Sequence, residues 1–304
     1  MNVLMQKARA FSELEFSKWG TAIVGPAVDA RGREAVAFAK ANSDKLIEMH
    51  YDEATFEMEI NGERINSEDT ADSLSAVAAS RVILESTTLG FVETFMCCRS
   101  LLNAGLRSMS ILYVEPRTYS APRRSQVLHK RDFDLSEAVP GYRPIPGATF
   151  HLSALKPQHA VFFLGYEDHR FEVALEELQQ TVRPQDCSVV LGVPAFQPGW
   201  EMNSFANNVH VIRSNDLSGG IHFCGAENPA AAAEILLEIR KSLRSDARMF
   251  LVPIGTKPMG IAAAIFAAEH EDVGLLYDHP RRRTDRSSQS SSWHLYEARF
   301  EASK

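Results

Sequence analysis

The chain has 304 residues, of which 45% are hydrophobic and 23% are charged, and its formal net charge is -7 at pH 7. These values are ordinary for a globular protein and allow an ample hydrophobic core. The negative balance excludes an overall basic field for nucleic acid. Any contact with a nucleic acid or nucleotide therefore has to come from a local patch.

The sequence also bears on location and on bound groups. The N-terminal stretch MNVLMQKARAFSELEF lacks the apolar core and cleavage site of a signal peptide. No stretch approaches the roughly 20 apolar residues that cross a bilayer. The four cysteines have no CxxC spacing, which favours reduced, buried thiols over a zinc site. We therefore predict a cytoplasmic protein that has no metal, no cofactor and no membrane contact.

Short apolar runs alternate with longer helical patterns along the chain. The predicted strands are TAIVGP, DKLIEMHY, SRVILEST, SMSILYVEP, HAVFFLGY, CSVVLGVPAF, NVHVIRS, GGIHFCG, ARMFLVPIG, VGLLYDHP and WHLYEARF. The helical patterns lie near 31–42, 88–105, 170–182, 229–243 and 258–270. Several strands are apolar throughout, as expected for strands buried on both faces. The alternation predicts a Rossmann-like α/β fold with a mainly parallel sheet and helices on both faces.

Two segments depart from this alternation. Residues near 55–66 include FEMEINGERI, which alternates and turns at Asn61-Gly62, and this pattern predicts an appended β-hairpin. Residues 116–150 are rich in proline and arginine, which predicts a long loop insertion. Because no strong linker divides the chain, residues 1–304 are predicted to form a single elaborated α/β domain.

Two strand–helix–strand segments of the sequence are similar, one beginning near residue 80 and the other near residue 247. Each ends in a Tyr-x-x-Pro motif, from Tyr113 to Pro116 and from Tyr277 to Pro280, and a basic loop follows each motif. Units of this kind share their pattern for physical reasons. Common packing rules therefore explain the similarity better than a decayed repeat does.

The second segment contains VPIGTKPMG, in which an apolar strand ends and a helical pattern begins. Gly255 permits a tight turn, and Pro258 suits the first turn of a helix. Thr256 and Lys257 would lie beside the free N–H groups and the positive dipole of the helix N-terminus. This pattern is typical of an anion site, although simple helix capping explains it equally well.

GTKPMG after an apolar strand resembles the Gly-Thr-Lys-x-Met signature of CARF domains, the CRISPR-associated Rossmann-like family. The resemblance covers roughly residues 249–263, and Ile254 stands where the family often has another glycine. It implies a homodimer that binds cyclic oligoadenylates, with Gly255, Thr256 and Lys257 contacting the nucleotide. Since no effector domain is visible downstream, the implied effector is a separate protein.

Further candidate ligand residues follow other predicted strands. Ser86, Thr87 and Thr88 either cap the next helix or contact a phosphate or ribose. Glu227, in the loop before Asn228-Pro229, could meet a sugar hydroxyl. Trp200 could stack on a base, with Phe196, Asn203 and Asn207 nearby in the sequence. Arg281 and Arg282 belong to a basic run with Arg283 and Arg286, and Arg123 and Arg124 form the parallel pair in the first segment.

Candidates for catalysis are few, because the sequence has neither GxSxG nor HExxH. Asp168 precedes His169 and Asp278 precedes His279, and each pair could supply acid–base groups. The preferred interpretation is a nucleotide- or cyclic-oligonucleotide-binding sensor, which by the resemblance would act in antiviral defence through a partner. An enzyme acting on a nucleotide or phosphorylated metabolite stays open, as does a structural subunit of a larger complex.

Overall fold

A computed structural model describes residues 2–119, 133, 135–148, 158–178, 181–217 and 220–300. Its contacts divide the chain into two compact units. Unit 1 comprises residues 1–120 and 282–304, and unit 2 comprises residues 121–281. The single elaborated domain stays a prediction, and each unit is described by itself.

Unit 1 is built on an eight-stranded mixed sheet. Its elements are β1 (Asn2–Ala8), β2 (Trp19–Val24), α1 (Ala30–Ala41), β3 (Ser43–Asp52), β4 (Glu57–Ile60), β5 (Glu63–Asn66), α2 (Thr70–Ser75), β6 (Val82–Glu85), α3 (Phe91–Asn103), β7 (Ser108–Tyr119) and β15 (Ser287–Arg299). The strand order is β1-β15-β7-β6-β2-β3-β4-β5. The four central strands β7, β6, β2 and β3 are mutually parallel, and the flanking strands are antiparallel.

Helices cover both faces of the unit 1 sheet. On one face, Phe38 of α1 packs among Trp19 and Trp293, and Ala22 and Val24 of β2 point into the same core. Successive strand residues alternate between faces, so the neighbouring Ile23 points to the other side. There α2 and α3 pack together. The α/β class with a mainly parallel sheet is thereby confirmed.

Unit 2 is built on a five-stranded parallel sheet. Its elements are β8 (Ser136–Ala138), β9 (Gln158–Leu164), α4 (Asp168–Leu178), β10 (Cys187–Gly192), α5 (Trp200–Ser214), β11 (Ile221–Cys224), α6 (Pro229–Ser242), β12 (Arg248–Pro253), α7 (Lys257–Glu269) and β13 (Val273–Leu275). A two-residue strand, β14 (Arg281–Arg282), lies where the units meet in sequence. The sheet order β11-β10-β9-β12-β13 is the order 3-2-1-4-5 of a doubly wound fold.

The winding of unit 2 follows from its parallel strands. From β9 the chain winds through α4 and α5 to one edge of the sheet, then returns through α6 and α7 to the other edge. Right-handed crossovers in opposite directions place their helices on opposite faces. In agreement, α4 packs with α5, and α6 packs with α7. Strands such as β9, whose core residues are buried on both sides, need this double cover.

The structure confirms the appended hairpin and corrects three predictions. β4 and β5 pair around Asn61 and Gly62, whose φ angles of 52° and 84° suit the tight turn that Asn-Gly favours. The run NVHVIRS is wrong as a strand, because it forms the end of α5. The predicted strand WHLYEARF begins earlier in the chain, because β15 runs from Ser287 to Arg299. The insertion 116–150 starts later than predicted, because β7 runs to Tyr119.

NVHVIRS was predicted as a strand because the periodicity of its buried residues was misread. The buried residues of α5 recur at helical spacing, three or four apart, and they are Asn203, Ser204, Asn207, Asn208, Val211 and Ile212. Four of these six are polar, so a reading that follows only apolar residues sees a short β-branched run instead of a helix. The edge strand β1 went unpredicted for a related reason, since most of its residues are exposed.

Among the described residues, none of the helices is both long enough and apolar enough to cross a membrane.

Candidate functional sites at the carboxyl ends of the parallel strands

The doubly wound order gives unit 2 a switch point between β9 and β12, where the chain winds away in opposite directions. Ligands of open α/β sheets bind at such points, beyond the carboxyl ends of the strands. The two loops that leave these strands touch each other here. A Cβ added to Gly165, after β9, would lie 2.7 Å from the carbonyl oxygen of Ile254, after β12.

The GTK motif lies in the second of these loops, and α7 begins at Lys257 as the sequence predicts. Gly255 is packed tightly, since an added Cβ would lie 3.1 Å from both the carbonyl carbon of Phe163 and Sδ of Met259. The hydroxyl of Thr256 donates to the carbonyl of Ala226 at 2.7 Å. Gly255 and Thr256 are therefore held by internal packing. Lys257, half-buried at the first helical position, is the charged member of the motif.

Glu227 follows Ala226, whose carbonyl oxygen accepts the hydrogen bond from Thr256. The loop that contains Glu227 therefore contacts the GTK loop. Its side chain is half-buried. The following Asn228 accepts a hydrogen bond from the backbone of Ala231 at 3.1 Å, which confirms the predicted N-cap of α6. Two of the loops singled out in the sequence thus meet at one edge of unit 2.

Trp200 begins α5 and contributes to an aromatic cluster. Its ring centroid lies 5.1 Å from that of Phe133 and 6.2 Å from that of Tyr166. Asn207 is fully buried and donates from Nδ2 to the carbonyl oxygen of Tyr166 at 2.6 Å. Both side chains therefore support the loop after β9, and base stacking by Trp200 stays a prediction.

The four acid–base candidates occupy different environments in unit 2. Asp278 is 1% exposed and accepts two hydrogen bonds from Arg170, at 2.6 and 2.7 Å. His279, in a left-handed conformation with φ 48°, lies 3.2 Å from the carbonyl oxygen of Arg143. Asp168 accepts from the backbone N–H of the exposed His169 at the start of α4. The bidentate pair with Arg170 explains Asp278 as a structural anchor.

Unit 1 has its own switch point, between β2 and β6, because its parallel strands follow the order 2-1-3-4. The geometry resembles that of unit 2. A Cβ added to Gly25, after β2, would lie 2.6 Å from the carbonyl oxygen of Thr88, after β6. The Thr88 hydroxyl also accepts from the backbone N–H of Gly25 at 2.9 Å.

The predicted ligand residues Ser86, Thr87 and Thr88 are buried in a hydrogen-bonded network around Glu85. The Glu85 carboxylate accepts from the backbone N–H groups of Thr87 at 2.7 Å and of Thr88 at 3.0 Å, and from the Thr88 hydroxyl. Thr87 Oγ1 accepts from the backbone of Val114. Burial raises the pKa of Glu85. The predicted helix cap is wrong, because α3 is capped by Gly90; these hydroxyls shape the loop instead.

Residues 282–286 cross the unit 1 switch point and are called here the strap. Arg282 donates through both Nη atoms to the carbonyl oxygens of Thr88 and Leu89. The backbone N–H of Asp285 donates to the carbonyl of Val28 at 3.1 Å, in the loop after β2. Arg282 therefore clamps the loop after β6. Arg281 is exposed and belongs to unit 2, while Arg123 and Arg124 lie outside the described residues.

Two further arginines, Arg31 and Arg286, lie near Arg282. The sequence did not predict that these three residues come together. Arg31, in the first turn of α1, is 4% exposed; its Nη1 donates to the carbonyl of Val114, and its Nη2 lies 3.6 Å from Asp29. Burial, followed by the charges of Arg282 and Arg31, lowers the pKa of Arg286 to about 10. We call Arg31, Arg282 and Arg286 the arginine cluster. Asp29-x-Arg31 at the first helix start after a central strand was the available signal.

Asp29 is the carboxylate closest to Arg31. It caps α1 by accepting from the backbone N–H of Gly32 at 2.8 Å, and it accepts from the Ser287 hydroxyl. Although burial opposes ionisation, the neighbouring Arg31 and the hydrogen bond from Ser287 hold the pKa of Asp29 below its ordinary value. Asp29 is thus an ionised carboxylate that is shared between a helix cap, a hydroxyl and an arginine.

Among the side-chain types that hold metal ions, Glu115 and His294 of unit 1 hold each other. Their Oε2 and Nε2 atoms are 3.0 Å apart, and both side chains are buried between β7 and β15. Lys7 approaches Glu115 at 3.9 Å. This arrangement ties together three adjacent strands of the mixed sheet.

A separate pocket of about 600 Å³ lies at the amino ends of the unit 2 strands. His159, near the start of β9, lies 3.0 Å from the Ser188 hydroxyl, near the start of β10. Burial lowers the pKa of His159 and raises that of the neighbouring Cys187 to about 12. The pocket is on the opposite edge of the sheet from the GTK loop, and the sequence reasoning assigned it no role.

The fold and the two carboxyl edges define a protein of the Rossmann-like α/β class. No protein-family model matches the chain, and no curated protein matches it. Among solved structures, it is similar to an A-type ketoreductase from a modular polyketide synthase, with 12% identity and a TM-score of 0.22. The alignment covers 90% of this chain and 82% of that chain. At this TM-score the similarity carries no argument about what the chain does.

Proposed function

We propose that the protein is a sensor that binds a nucleotide or cyclic oligonucleotide at the GTK loop of unit 2 and acts through a separate partner protein in antiviral defence. The observation that carries the proposal is the position of this loop at the switch point between β9 and β12. Open α/β sheets bind ligands there. The resemblance of GTKPMG to the CARF signature supplies the ligand class and the biological setting.

The chemistry of the site supports an anionic ligand. The N-terminus of α7, a helix of 13 residues, carries the positive end of the helix dipole. Lys257 adds a full positive charge at the first helical position. A phosphate of the nucleotide would bind between them, and Glu227 on the adjoining loop would accept a sugar hydroxyl. Gly255 and Thr256 contribute by holding the loop in place, because both are packed against neighbouring backbone.

A sensor acts by differential binding. In this proposal the protein forms a homodimer with two arrangements, and the ligand binds one of them more tightly, so that occupancy shifts the population. The partner then recognises the favoured arrangement.

The test is a stability measurement with a panel of mononucleotides, dinucleotides and cyclic oligoadenylates. A ligand at about 100 times its dissociation constant stabilises the folded state by about 2.7 kcal/mol. We expect one member of the panel to do so in the wild type and to lose the effect in Lys257→Ala. Lys241→Ala, which removes an exposed lysine from the last turn of α6, is the matched control and should keep the effect.

Two results would contradict the proposal. If no nucleotide changes the stability of the wild type, the GTK loop is only the start of a helix. If the stabilising nucleotide is consumed during incubation, as seen by chromatography of the recovered ligand, the protein is an enzyme instead of a sensor.

A further inference from the structure

Unit 1 holds more buried positive charge at its carboxyl edge than its own carboxylates neutralise. Arg282 has the carbonyl oxygens of Thr88 and Leu89 as partners. Arg31 has the carbonyl oxygen of Val114, the side chain of Tyr113 and, at 3.6 Å, Asp29. Nε of Arg286 is buried and has no hydrogen-bond partner among the described residues, although the charge of Asp29 acts on this guanidinium. Burying a charge without a partner is costly. This leaves that N–H group available to a partner beyond the described residues.

Arg31 also has a buried guanidinium nitrogen that lacks a hydrogen bond. Nε of Arg31 is buried and has no hydrogen-bond partner among the described residues, although Arg31 is 4% exposed. Arg31 and Arg286 are close enough for each charge to act on the other, which like charges do only at a cost. The two side chains thus leave N–H groups unused in a region of positive potential.

The surrounding groups do not remove this excess. Asp29 is the carboxylate that acts on both Arg31 and Arg286, and it already accepts from Gly32 and Ser287. The other nearby carboxylates are engaged elsewhere. Glu85 accepts from Thr87 and Thr88, Glu93 accepts from the backbone of Tyr51 and lies 3.6 Å from His50, and Glu115 holds His294. Buried hydroxyls of Tyr113 and Tyr119 line the same region.

We propose that Arg31 and Arg286, held in place by Asp29 and by the strap, bind the phosphate group of a small ligand at the carboxyl edge of unit 1. Arg31 and Arg286 share one carboxylate, Asp29, and guanidinium groups bind phosphate oxygens through paired N–H donors. The position also fits, because it lies at the unit 1 switch point. Arg286 is half-buried, so the phosphate reaches the cluster from its side.

This site is independent of the proposed function. It uses the loop after β2, the first turn of α1 and the strap, all in unit 1, whereas the GTK loop belongs to unit 2. The roles of the three arginines also differ. Arg282 shapes the loop after β6, Arg31 forms the buried wall, and Arg286 is the more exposed charge, which a ligand would contact first.

Inorganic phosphate is the probe, titrated into the full-length protein by calorimetry at constant ionic strength, with chloride as the compensating anion. We expect saturable binding to the wild type. Arg286→Gln should weaken it about tenfold or more, because a hydrogen bond to a charged group contributes about 1.5–3 kcal/mol. Arg286→Lys keeps the positive charge but loses the paired N–H donors of the guanidinium group. Its phosphate affinity should lie between those of the wild type and Arg286→Gln.

Arg33→Gln is the matched control, since it removes the charge of an exposed arginine from the same helix turn. It should leave the phosphate affinity within about twofold of the wild type. Each of these variants is also titrated in a Lys257→Ala background, which removes the contribution of phosphate bound at the GTK loop of unit 2. Circular dichroism checks that each variant is folded.

Two outcomes would overturn the inference. One is the absence of saturable phosphate binding to the wild type up to about 10 mM, a concentration that would reveal even a weak site. The other is equal phosphate affinity in the wild type and in folded Arg286→Gln.

Discussion

The carboxyl edges of the two units share a backbone contact but differ in how completely their buried arginines are neutralised. In each unit, the glycine after the first central strand lies against a carbonyl of the loop across the switch point, Gly25 against Thr88 and Gly165 against Ile254. In unit 2, the buried Arg170 is paired with Asp278 by two hydrogen bonds. In unit 1, Arg31 stands 3.6 Å from its nearest carboxylate and Nε of Arg286 has no hydrogen-bond partner among the described residues.

This difference indicates two roles for a buried arginine near the end of a strand. A buried guanidinium with a bidentate carboxylate is neutralised and acts as an anchor between segments. The same group without that carboxylate keeps its charge available, at a cost in stability that a bound anion offsets. Under the two proposals, unit 2 uses Arg170 for structure and binds its ligand near Lys257, whereas unit 1 binds a phosphate with Arg31 and Arg286.

The largest expected effect comes from making unit 2 resemble unit 1. Asp278→Asn removes the charge that neutralises Arg170 and leaves only Glu167, at 3.4 Å. Breaking a buried pair in this way costs about 3–5 kcal/mol of the free energy of unfolding, measured by urea denaturation. The control is Asp186→Asn, which breaks the exposed pair with Arg183 and should cost much less, because solvent screens an exposed pair. Equal losses in the two variants would show that the Arg170–Asp278 pair is not a special anchor.

An intermediate effect is expected from the shared backbone contact. In Gly25→Ala and Gly165→Ala the new methyl group would meet a carbonyl oxygen at 2.6 or 2.7 Å, so the two loops have to move apart. Overpacking of this kind costs about 1–3 kcal/mol, and both variants should lose stability by similar amounts in urea denaturation. Gly225→Ala is the control, because its nearest contact would be an ordinary 3.6 Å. If one of the two substitutions leaves the stability unchanged, the loops at that switch point can move apart without a cost in stability.

The smallest effect concerns pH, and its sign differs between the units. The hydrogen bond with Glu93 raises the pKa of His50 in unit 1 above its ordinary value of 6.5, whereas burial lowers that of His159 in unit 2. The stability contributed by His50 is therefore full below pH 6.5 and is lost as the pH rises through its raised pKa. That contributed by His159 is full above pH 6.5 and is lost as the pH falls.

Denaturation of the wild type, His50→Gln and His159→Gln between pH 5 and pH 8 measures both contributions. Subtracting each variant's profile from that of the wild type should give slopes of opposite sign. Two slopes of the same sign would contradict the assigned environment of one histidine.

Much of the fold could be predicted because it is written in local patterns. Fully apolar runs such as VFFL predict strands buried on both faces, and Asn61-Gly62 predicts the hairpin turn. Pro229 after Asn228 predicts the start of α6. The failures occurred where the signal is not local. The buried face of α5 is mostly polar, since Asn207 and Asn208 bind backbone of the loop after β9, and this hydrogen bonding is invisible in a hydropathy pattern.

The candidate sites divide in the same way. GTK could be recognised because its residues are adjacent and begin a helix. The threonines after β6 were correctly placed at a strand end, but their hydroxyls serve the buried Glu85. The arginine cluster could not be assembled, because Arg31 and Arg286 are 255 residues apart in the chain, and only the pairing of β15 with β7 brings the strap back to the first helix.

By itself, the sequence determined the α/β class, most strands and helices, and the start of α7 after the GTK loop, because each depends on side chains within a few residues of one another. The tertiary structure decided which charges are neutralised. Whether an arginine is an anchor or an open anion site depends on which carboxylate the fold brings within hydrogen-bonding distance. Asp278 reaches Arg170 across 108 residues, and no described group accepts a hydrogen bond from Nε of Arg286.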